Sequence, residues 1–257
     1  MGINIAYAGD REIAVEILRF IIYEGVKPRA LLVSSGKEAS HVDELIDLCD
    51  HLDSSKIFRG NEFKKDENIK ILKELDLDYI ISVHFPYIYP KKVLDIPRQG
   101  VLNLHPAYLP FNRGWHTPTW AIFDDTPYGA TLHFMDEGLD SGDIISRERL
   151  EIRPEDTADT LYQRALGLEK KLFKESWDDL VGLDYERIEQ DLKKGTKHTK
   201  DEIENIQRIY LDEKVKVEKL IRKLRALTTN KISEAAYFEK DGEKFRVQMS
   251  IEKEDEL

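Results

Sequence analysis

Short apolar runs alternate with amphipathic segments throughout the first half of the chain. Two of the runs are Ala30-Leu31-Leu32-Val33 and Tyr79-Ile80-Ile81-Ser82-Val83, and the segments with helical spacing cover 14–23, 39–52 and 67–75. Strands that alternate with helices indicate βαβ units and a parallel sheet. Strands that are apolar without interruption belong to sheets whose two faces are both covered by helices. The pattern therefore predicts an α/β fold with a Rossmann-like, mostly parallel sheet.

The second half predicts more strands and then a different kind of tail. Strands are expected at 101–105, 131–135 and 144–152, and a long helix is expected at 156–180. A polar connector over 183–205 separates the main domain (1–182) from a C-terminal module (206–257). In that module a basic amphipathic helix over 214–227 precedes two strand-like runs, 235–238 and 245–251, on either side of Asp241-Gly242, a strong hairpin signal. An isolated hairpin is marginally stable, so its apolar face must pack on the rest of the chain or on a second subunit.

Composition excludes several classes of partner. The chain has 39 basic and 50 acidic residues, a net charge of −11, which repels phosphate backbones and disfavours nucleic acid. The single Cys49 cannot form an internal disulfide or a cysteine metal cluster. No apolar stretch approaches the roughly 18 residues that span a bilayer, and the N-terminus lacks the pattern of a signal peptide. We therefore expect a soluble, cytoplasmic protein without a membrane partner.

The first predicted strand-to-helix turn reads Ala8-Gly9-Asp10-Arg11-Glu12. A dinucleotide-binding turn carries Gly-x-Gly-x-x-Gly, which lets the pyrophosphate approach the helix N-terminus. One glycine followed by an acidic side chain does not provide such a cradle. The turn therefore disfavours NAD and FAD.

Polar side chains follow the strand at 101–105. Asn103 and His105 are two residues apart, so both project from one face of the strand, and Pro106 ends it. Ligands of open α/β sheets bind beyond the carboxyl ends of the strands, where an amide and an imidazole can polarise a carbonyl and move its protons. Asp140 lies in a glycine-flanked loop after a later strand. From these residues alone, a buried polar pair and a turn aspartate remain open alternatives.

A longer set of motifs resembles the formyltransferases that use 10-formyltetrahydrofolate. The motifs are Leu102-Asn103-Leu104-His105-Pro106-Ala107-Tyr108-Leu109-Pro110, Arg113-Gly114, Gly129-x-Thr131-x-His133-x-Met135 and Leu139-Asp140-x-Gly142-Asp143-Ile144. The resemblance implies the formyltransferase fold and a catalytic centre of Asn103, His105 and Asp140. It further implies that Asn103 and protonated His105 stabilise an oxyanion while Asp140 orients or charges His105 and accepts the amine proton.

The resemblance also implies where the folate donor binds. The segment His84, Phe85, Pro86 and Tyr87 contributes backbone groups to the pterin, and Gly138 and Leu139 line the other side. The His84 side chain itself is expected to be an exposed loop histidine. His133 is expected to be structural, and the histidines at 41, 51 and 198 have no metal-ligand spacing, so we predict no metal.

Three branches of this family are disfavoured by what surrounds the catalytic residues. The methionyl-tRNA branch adds a larger, basic C-terminal barrel, whereas this tail is short and the chain is acidic. The phosphoribosylglycinamide branch has a glycine-rich first loop for its substrate phosphate, which Gly9-Asp10-Arg11 does not supply. The formyltetrahydrofolate deformylase branch carries an additional N-terminal domain, whereas the first strand here begins at Ile3.

The remaining branch is the nucleotide-sugar N-formyltransferases. Leu109-Pro110-Phe111-Asn112-Arg113-Gly114-Trp115-His116, Gly195-Thr196-Lys197-His198 and the helix-plus-hairpin tail are similar to that branch, in which the tail contributes to a dimer interface. Asn112 and Arg113 are suited to a pyrophosphate or sugar hydroxyls, Trp115 to stacking on a sugar, and Lys197 to a phosphate. A loop-bracing arginine, a tryptophan that fills the loop and a solvated lysine are the alternatives.

The sequence predicts one activity and leaves two alternative functions. The expected enzyme is a homodimer that transfers the formyl group of N10-formyltetrahydrofolate to the 4-amino group of a nucleotide-linked 4-amino-4,6-dideoxyhexose. The resemblance implies that the nucleotide is TDP. Its product would serve lipopolysaccharide O-antigen synthesis. A GDP- or UDP-linked sugar remains an alternative acceptor. The alternatives are a hydrolase that releases formate from the same donor and a non-catalytic protein that binds folate or a nucleotide sugar.

Overall fold

The computed structural model describes residues 2–37 and 39–254. Its strands, in chain order, are β1 (Ile5–Gly9), β2 (Ala30–Val33), β3 (Ile57–Arg59), β4 (Tyr79–Val83), β5 (Gly100–His105), β6 (Arg113–Gly114), β7 (Tyr128–Phe134), β8 (Ile144–Leu150), β9 (Lys197–His198), β10 (Ala236–Lys240) and β11 (Glu243–Val247).

Its α-helices are α1 (Arg11–Tyr23), α2 (Val42–Leu48), α3 (Asp66–Glu74), α4 (Lys91–Leu94), α5 (Thr117–Phe123), α6 (Ala158–Glu175), α7 (Trp177–Gly182), α8 (Glu204–Gln207) and α9 (Val217–Ala226). Short 3₁₀ turns lie at Ser54–Lys56, Glu62–Lys64, Lys200–Ile203 and Ile232–Glu234. Among the described residues, none of these helices combines the length and apolar character that crossing a membrane requires.

Seven strands form one mostly parallel sheet, as predicted. The order is β3-β2-β1-β4-β5-β7-β8, in which the first five strands are parallel and β7 runs antiparallel to β5. Every residue of β1, β2 and β4 is buried, which explains why these strands are apolar except for Ser82 of β4. Between the parallel neighbours β1 and β4, the order in which successive strands are added changes from one side of the sheet to the other. Ligands of open α/β sheets bind beyond the carboxyl ends of the strands at such a switch point.

The predicted helices differ from the observed ones mainly at their ends. The segment predicted as helix over 39–52 forms α2 only from Val42, because His41 has the left-handed φ of 57° that starts a turn rather than a helix. The long helix predicted over 156–180 is two helices, α6 and α7, joined at Ser176. The spans predicted for β2 and β4 match the structure.

The chain forms two compact units that interleave along the sequence. The first unit contains 1–105, 131–146 and 169–190, and the second contains 106–130, 147–168 and 191–257. The core of the first unit includes Leu32, Phe58 and Ile80. The core of the second is built around Tyr128 and Leu161.

The predicted C-terminal hairpin is present in the second unit. Strands β10 and β11 pair antiparallel with Lys240 opposite Glu243, and the two turn residues, Asp241 and Gly242, have φ values of 55° and 82°. Two successive positive φ angles define the tight hairpin turn that Asp-Gly favours. The second strand ends at Val247, so the strand predicted to continue to Ile251 is shorter than expected.

Candidate active site

The first unit brings together the three residues predicted to be catalytic. Asn103 and His105 lie on β5, and Asp140 lies in the loop between β7 and β8. His105 Nε2 is 3.4 Å from Asp140 Oδ2, and the two side chains are only 10% and 11% exposed. The buried His105 Nε2 has no hydrogen-bond partner among the described residues. Buried polar atoms are normally hydrogen-bonded, so this nitrogen is suited to a polar group of a bound molecule.

His133 fixes the orientation of Asn103. The two residues are opposite each other in the β5–β7 pairing, and complete burial lowers the pKa of His133 to about 4. Its neutral ring donates from Nδ1 to the Phe134 carbonyl oxygen, 2.7 Å away. Nε2 therefore accepts from the Asn103 amide nitrogen at 3.2 Å. The expectation that His133 is structural is therefore incomplete, because its acceptor nitrogen contacts a predicted catalytic side chain.

The loop that carries Asp140 is held by its own short-range contacts. Asp136 Oδ1 accepts from the Gly138 amide at 2.9 Å and from Ser141 Oγ at 2.8 Å. Asp140 itself has a left-handed φ of 48°. A Cβ atom at Gly142 would lie 2.1 Å from the Phe134 carbonyl oxygen, so only glycine permits this close approach. Gly138 and the 40% exposed Leu139, both predicted at the folate site, lie in this loop.

Gln190 braces the same loop from a distant part of the chain. Its side-chain amide nitrogen donates to the carbonyl oxygens of Asp140 at 3.0 Å and Gly142 at 2.6 Å. The residue is 7% exposed. Sequence reasoning missed Gln190, because it lies in a polar segment that reads as a connector and nothing in its neighbours indicates burial.

The loop after β4, predicted to bind the pterin, is fixed at several points. The Ser35 amide donates to Tyr87 Oη at 3.1 Å, and Tyr87 Oη lies 3.3 Å from the Ser35 carbonyl oxygen, to which it donates. The Phe85 ring packs 5.7 Å from that of Phe63, whereas Pro86 is exposed. The loop is therefore anchored by the side chains of Phe85 and Tyr87.

The His84 side chain is buried, so the expectation of an exposed loop histidine is wrong. Its Nε2 lies 2.9 Å and 3.1 Å from the two carboxylate oxygens of Glu169 on α6. The two side chains are 6% and 0% exposed. One sequence signal could have identified Glu169, because a glutamate stands on the apolar helical face that Ala165 and Leu172 define.

The residues predicted to bind the acceptor belong to the second unit, where Asn112 has a different environment from the one expected. Asn112 is fully buried. Its amide nitrogen donates to Thr126 Oγ1 at 3.0 Å, and its oxygen accepts from Thr196 Oγ1 at 3.2 Å. Because these contacts occupy the amide, the geometry favours a loop-bracing role for Asn112 over direct contact with a ligand. The Gly195-Thr196 motif thus contributes a hydroxyl that holds this loop.

Three further residues of that prediction have distinct surroundings. Arg113 and Lys197 are register partners in the β6–β9 pair. Arg113 is 9% exposed and its Nε has no hydrogen-bond partner among the described residues, whereas Lys197 is exposed. Trp115 is 38% exposed, and Lys200 Nζ lies 5.2 Å from its ring centroid. Arg113, Trp115 and Lys197 therefore keep polar or aromatic groups that a ligand can use.

Two of the other histidines have stacking or hydrogen-bond partners within the chain. His198 stacks on Trp120 with 3.9 Å between ring centroids, and its Nδ1 lies 3.1 Å from a Glu202 oxygen. His51 Nε2 is 2.9 Å from the Pro28 carbonyl oxygen. Over residues 2–37 and 39–254, no cluster of three or more His, Cys, Asp or Glu side chains is arranged to hold a metal ion.

Comparison with protein families identifies two matching regions. A family described as formyl transferase matches residues 19–176. A second, described as an N-formyltransferase dimerization C-terminal domain, matches residues 202–253. The second match covers the helix α9 and the hairpin.

Relatives by sequence include two kinds of formyltransferase. The dTDP-4-amino-4,6-dideoxyglucose formyltransferase of Mycobacterium tuberculosis is 29% identical over 69% of this chain and 74% of its own length. The methionyl-tRNA formyltransferase of Thermodesulfovibrio yellowstonii is 30% identical over 70% of this chain but 60% of its own length.

Solved structures are similar over nearly the whole chain. A 4-N formyltransferase from Francisella tularensis superimposes with a TM-score of 0.83 at 27% identity, covering 98% of both chains. A formyltransferase from Anoxybacillus kamchatkensis, solved in complex with UDP-4,6-dideoxy-4-formamido-L-AltNAc and tetrahydrofolate, gives a TM-score of 0.59 at 25% identity. That comparison covers 87% of this chain and 98% of the other.

Proposed function

Since the chain belongs to the formyl transferase family, we propose that it transfers the formyl group of N10-formyltetrahydrofolate to the amino group of a nucleotide-linked amino sugar. The observation that carries the proposal is the cluster of Asn103, His105 and Asp140 at the carboxyl end of β5, with a buried His105 Nε2 that lacks a hydrogen-bond partner among the described residues. The tetrahydrofolate complex of the Anoxybacillus kamchatkensis enzyme supports a folate donor.

The three residues have complementary roles in this reaction. The amine nitrogen attacks the formyl carbon, and the formyl oxygen gains negative charge. Asn103, oriented by His133, and protonated His105 stabilise that charge. Asp140 stabilises the His105 imidazolium and accepts a proton from the attacking nitrogen, directly or through water. The new carbon–nitrogen bond replaces the bond to N10, and N10 takes up a proton as it leaves.

The donor is proposed to bind beside two loops of the first unit. Backbone groups of 84–87 hold the pterin, and the loop at Gly138 and Leu139 contributes to the same site. The support is their fixed geometry, because Tyr87 and Ser35 anchor one loop and Asp136 anchors the other. A loop that is ordered before binding loses less conformational entropy when its ligand arrives.

The acceptor is proposed to be a 4-amino-4,6-dideoxyhexose linked to TDP. The curated relative from Mycobacterium tuberculosis and the 4-N formyltransferase from Francisella tularensis support this choice. Within the second unit, Arg113 and Lys197 contact the pyrophosphate, Trp115 stacks on the sugar, and Asn112 braces their loop. A bidentate guanidinium–phosphate contact suits the unpaired Arg113 Nε.

The proposal extends to assembly and biological setting. Two copies form a homodimer through the C-terminal helix and hairpin, supported by the match to a dimerization domain. The enzyme acts in the cytoplasm and supplies formylated sugars for O-antigen synthesis, as the resemblance to nucleotide-sugar N-formyltransferases implies.

The test is a formyl-transfer assay with 10-formyltetrahydrofolate and TDP-4-amino-4,6-dideoxyglucose, in which the sugar product is read by mass. The expected result is the gain of one formyl group, lost in His105→Ala and retained in His51→Ala, a matched histidine outside the site. The same assay with GDP- and UDP-linked sugars shows which nucleotide the enzyme prefers. Formate release without product on any of these sugars would instead establish the hydrolase.

A further inference from the structure

A buried acid–base pair lies outside the proposed catalytic trio. The Glu169 carboxylate contacts His84 Nε2 at 2.9 Å and 3.1 Å, and the side chains are 0% and 6% exposed. Taking such groups out of water is costly, and replacing a buried pair with apolar residues is often neutral or stabilising. Stability alone therefore gives no reason for a glutamate on the apolar face of α6.

The position of His84 indicates which segment the His84–Glu169 pair holds in place. His84 directly follows β4, and its φ of 52° turns the chain sharply at the start of the loop 84–87. Strand β4 pairs with β5 so that Ser82 is opposite Asn103. The loop therefore begins at the sheet edge where the proposed catalytic residues lie.

The far end of the loop has its own anchor. Tyr87 Oη is bound to the Ser35 backbone, and the Phe85 ring packs on Phe63 between the two ends. Glu169 lies on the 18-residue helix α6, which provides a rigid attachment for the first end. The backbone between His84 and Tyr87 is thus tied to α6 on one side and to the segment after β2 on the other.

We propose that His84 and Glu169 form a positioning pair that holds the loop 84–87 in its folate-binding conformation. Glu169 acts through His84, and neither side chain takes part in the chemical step. The inference rests on the proposed function, because it assumes a folate donor at this loop. Without the carboxylate, the loop samples other conformations, and the apparent affinity falls in proportion to the time spent in them.

The experiment measures folate affinity directly, by titration calorimetry with 5-formyltetrahydrofolate, well below the melting temperature of each variant. Glu169→Leu removes the acceptor and should weaken binding by about tenfold or more, within the range of coupling between distinct sites. Glu169→Gln keeps an oxygen that accepts from His84 and should recover most of the affinity. In the transfer assay Glu169→Leu should raise the KM for the donor while kcat changes little.

Phe173→Leu is the matched control. Phe173 lies on the same helix, is fully buried and packs on Phe20 and Trp177, so the variant should lose stability without losing folate affinity. A purely structural role for Glu169 predicts that Glu169→Leu behaves like this control, with a lower Tm and an unchanged dissociation constant. That result overturns the inference.

The failure of the proposed function gives a different result. If the wild-type protein does not bind 5-formyltetrahydrofolate, the donor assignment fails, and this inference fails with it. If the wild-type protein binds and the Glu169→Leu dissociation constant matches it, only the positioning role is wrong.

Discussion

Acidification should destabilise this protein through one buried histidine. His133 is fully buried and its pKa is lowered by that burial to about 4, from an ordinary 6.5. Between these values the unfolded chain binds a proton that the folded protein does not, so stability falls as the pH decreases from 6.5 towards 4. Because the ordinary and lowered pKa values differ by about 2.5, His133 should contribute a loss of roughly 2 kcal/mol at about pH 5.

Protonation of His133 in the folded protein, near its lowered pKa of about 4, should also affect the reaction. A protonated His133 carries a hydrogen on Nε2, the atom that accepts from the Asn103 amide nitrogen. Two donors then face each other, and Asn103 must turn its amide or lose the contact. We therefore expect kcat to decrease only near about pH 4, whereas stability already falls from about pH 6.5 because the unfolded chain takes up the proton first.

The measurement is the free energy of unfolding in urea at neutral pH and at about pH 5, for the wild type and for His133→Gln, whose side chain keeps an amide but does not titrate in this range. Groups remote from His133 titrate equally in both proteins, so their contribution cancels in the comparison. The wild type should lose roughly 2 kcal/mol more than the variant over this interval. Equal losses in the two proteins would refute the assignment of a buried, neutral His133.

Three further substitutions test how the loops are held. Gln190→Leu removes two hydrogen bonds to loop carbonyls and should lower the unfolding free energy by about 2 kcal/mol. It should also lower kcat, with a smaller effect on KM, and unchanged kinetics would exclude the bracing role. Gly142→Ala should reduce kcat because its Cβ would lie 2.1 Å from the Phe134 carbonyl oxygen. Its control is the exposed helical Gly167→Ala, which meets no atom within 4 Å and should gain about 0.5–1 kcal/mol of stability. Asn112→Ala should lower the Tm by removing a buried amide with several partners, and a normal Tm with a raised acceptor KM would instead favour direct ligand contact.

The sequence was informative wherever local chemistry decides the structure. Runs of mainly apolar residues identified β2 and β4, and Asp241-Gly242 identified the hairpin, because strand burial and turn geometry depend on adjacent residues. The spacing of Asn103 and His105 placed both side chains on one face of β5 for the same reason. The ends of α2 were less predictable, since His41 leaves the helical region at a position where the apolar periodicity continues.

The partners of the buried polar groups were decided only by the tertiary structure. Glu169 meets His84 across 85 residues, and Gln190 meets the carbonyl of Asp140 across 50. No local pattern encodes such a pair, because it depends on which faces the packed helices and loops present to each other. By itself the sequence determined the sheet, the hairpin and the residue types of the proposed centre. Folding decided which side chains hold that centre in place, because a polar group removed from water must find its partner wherever the packed chain provides one.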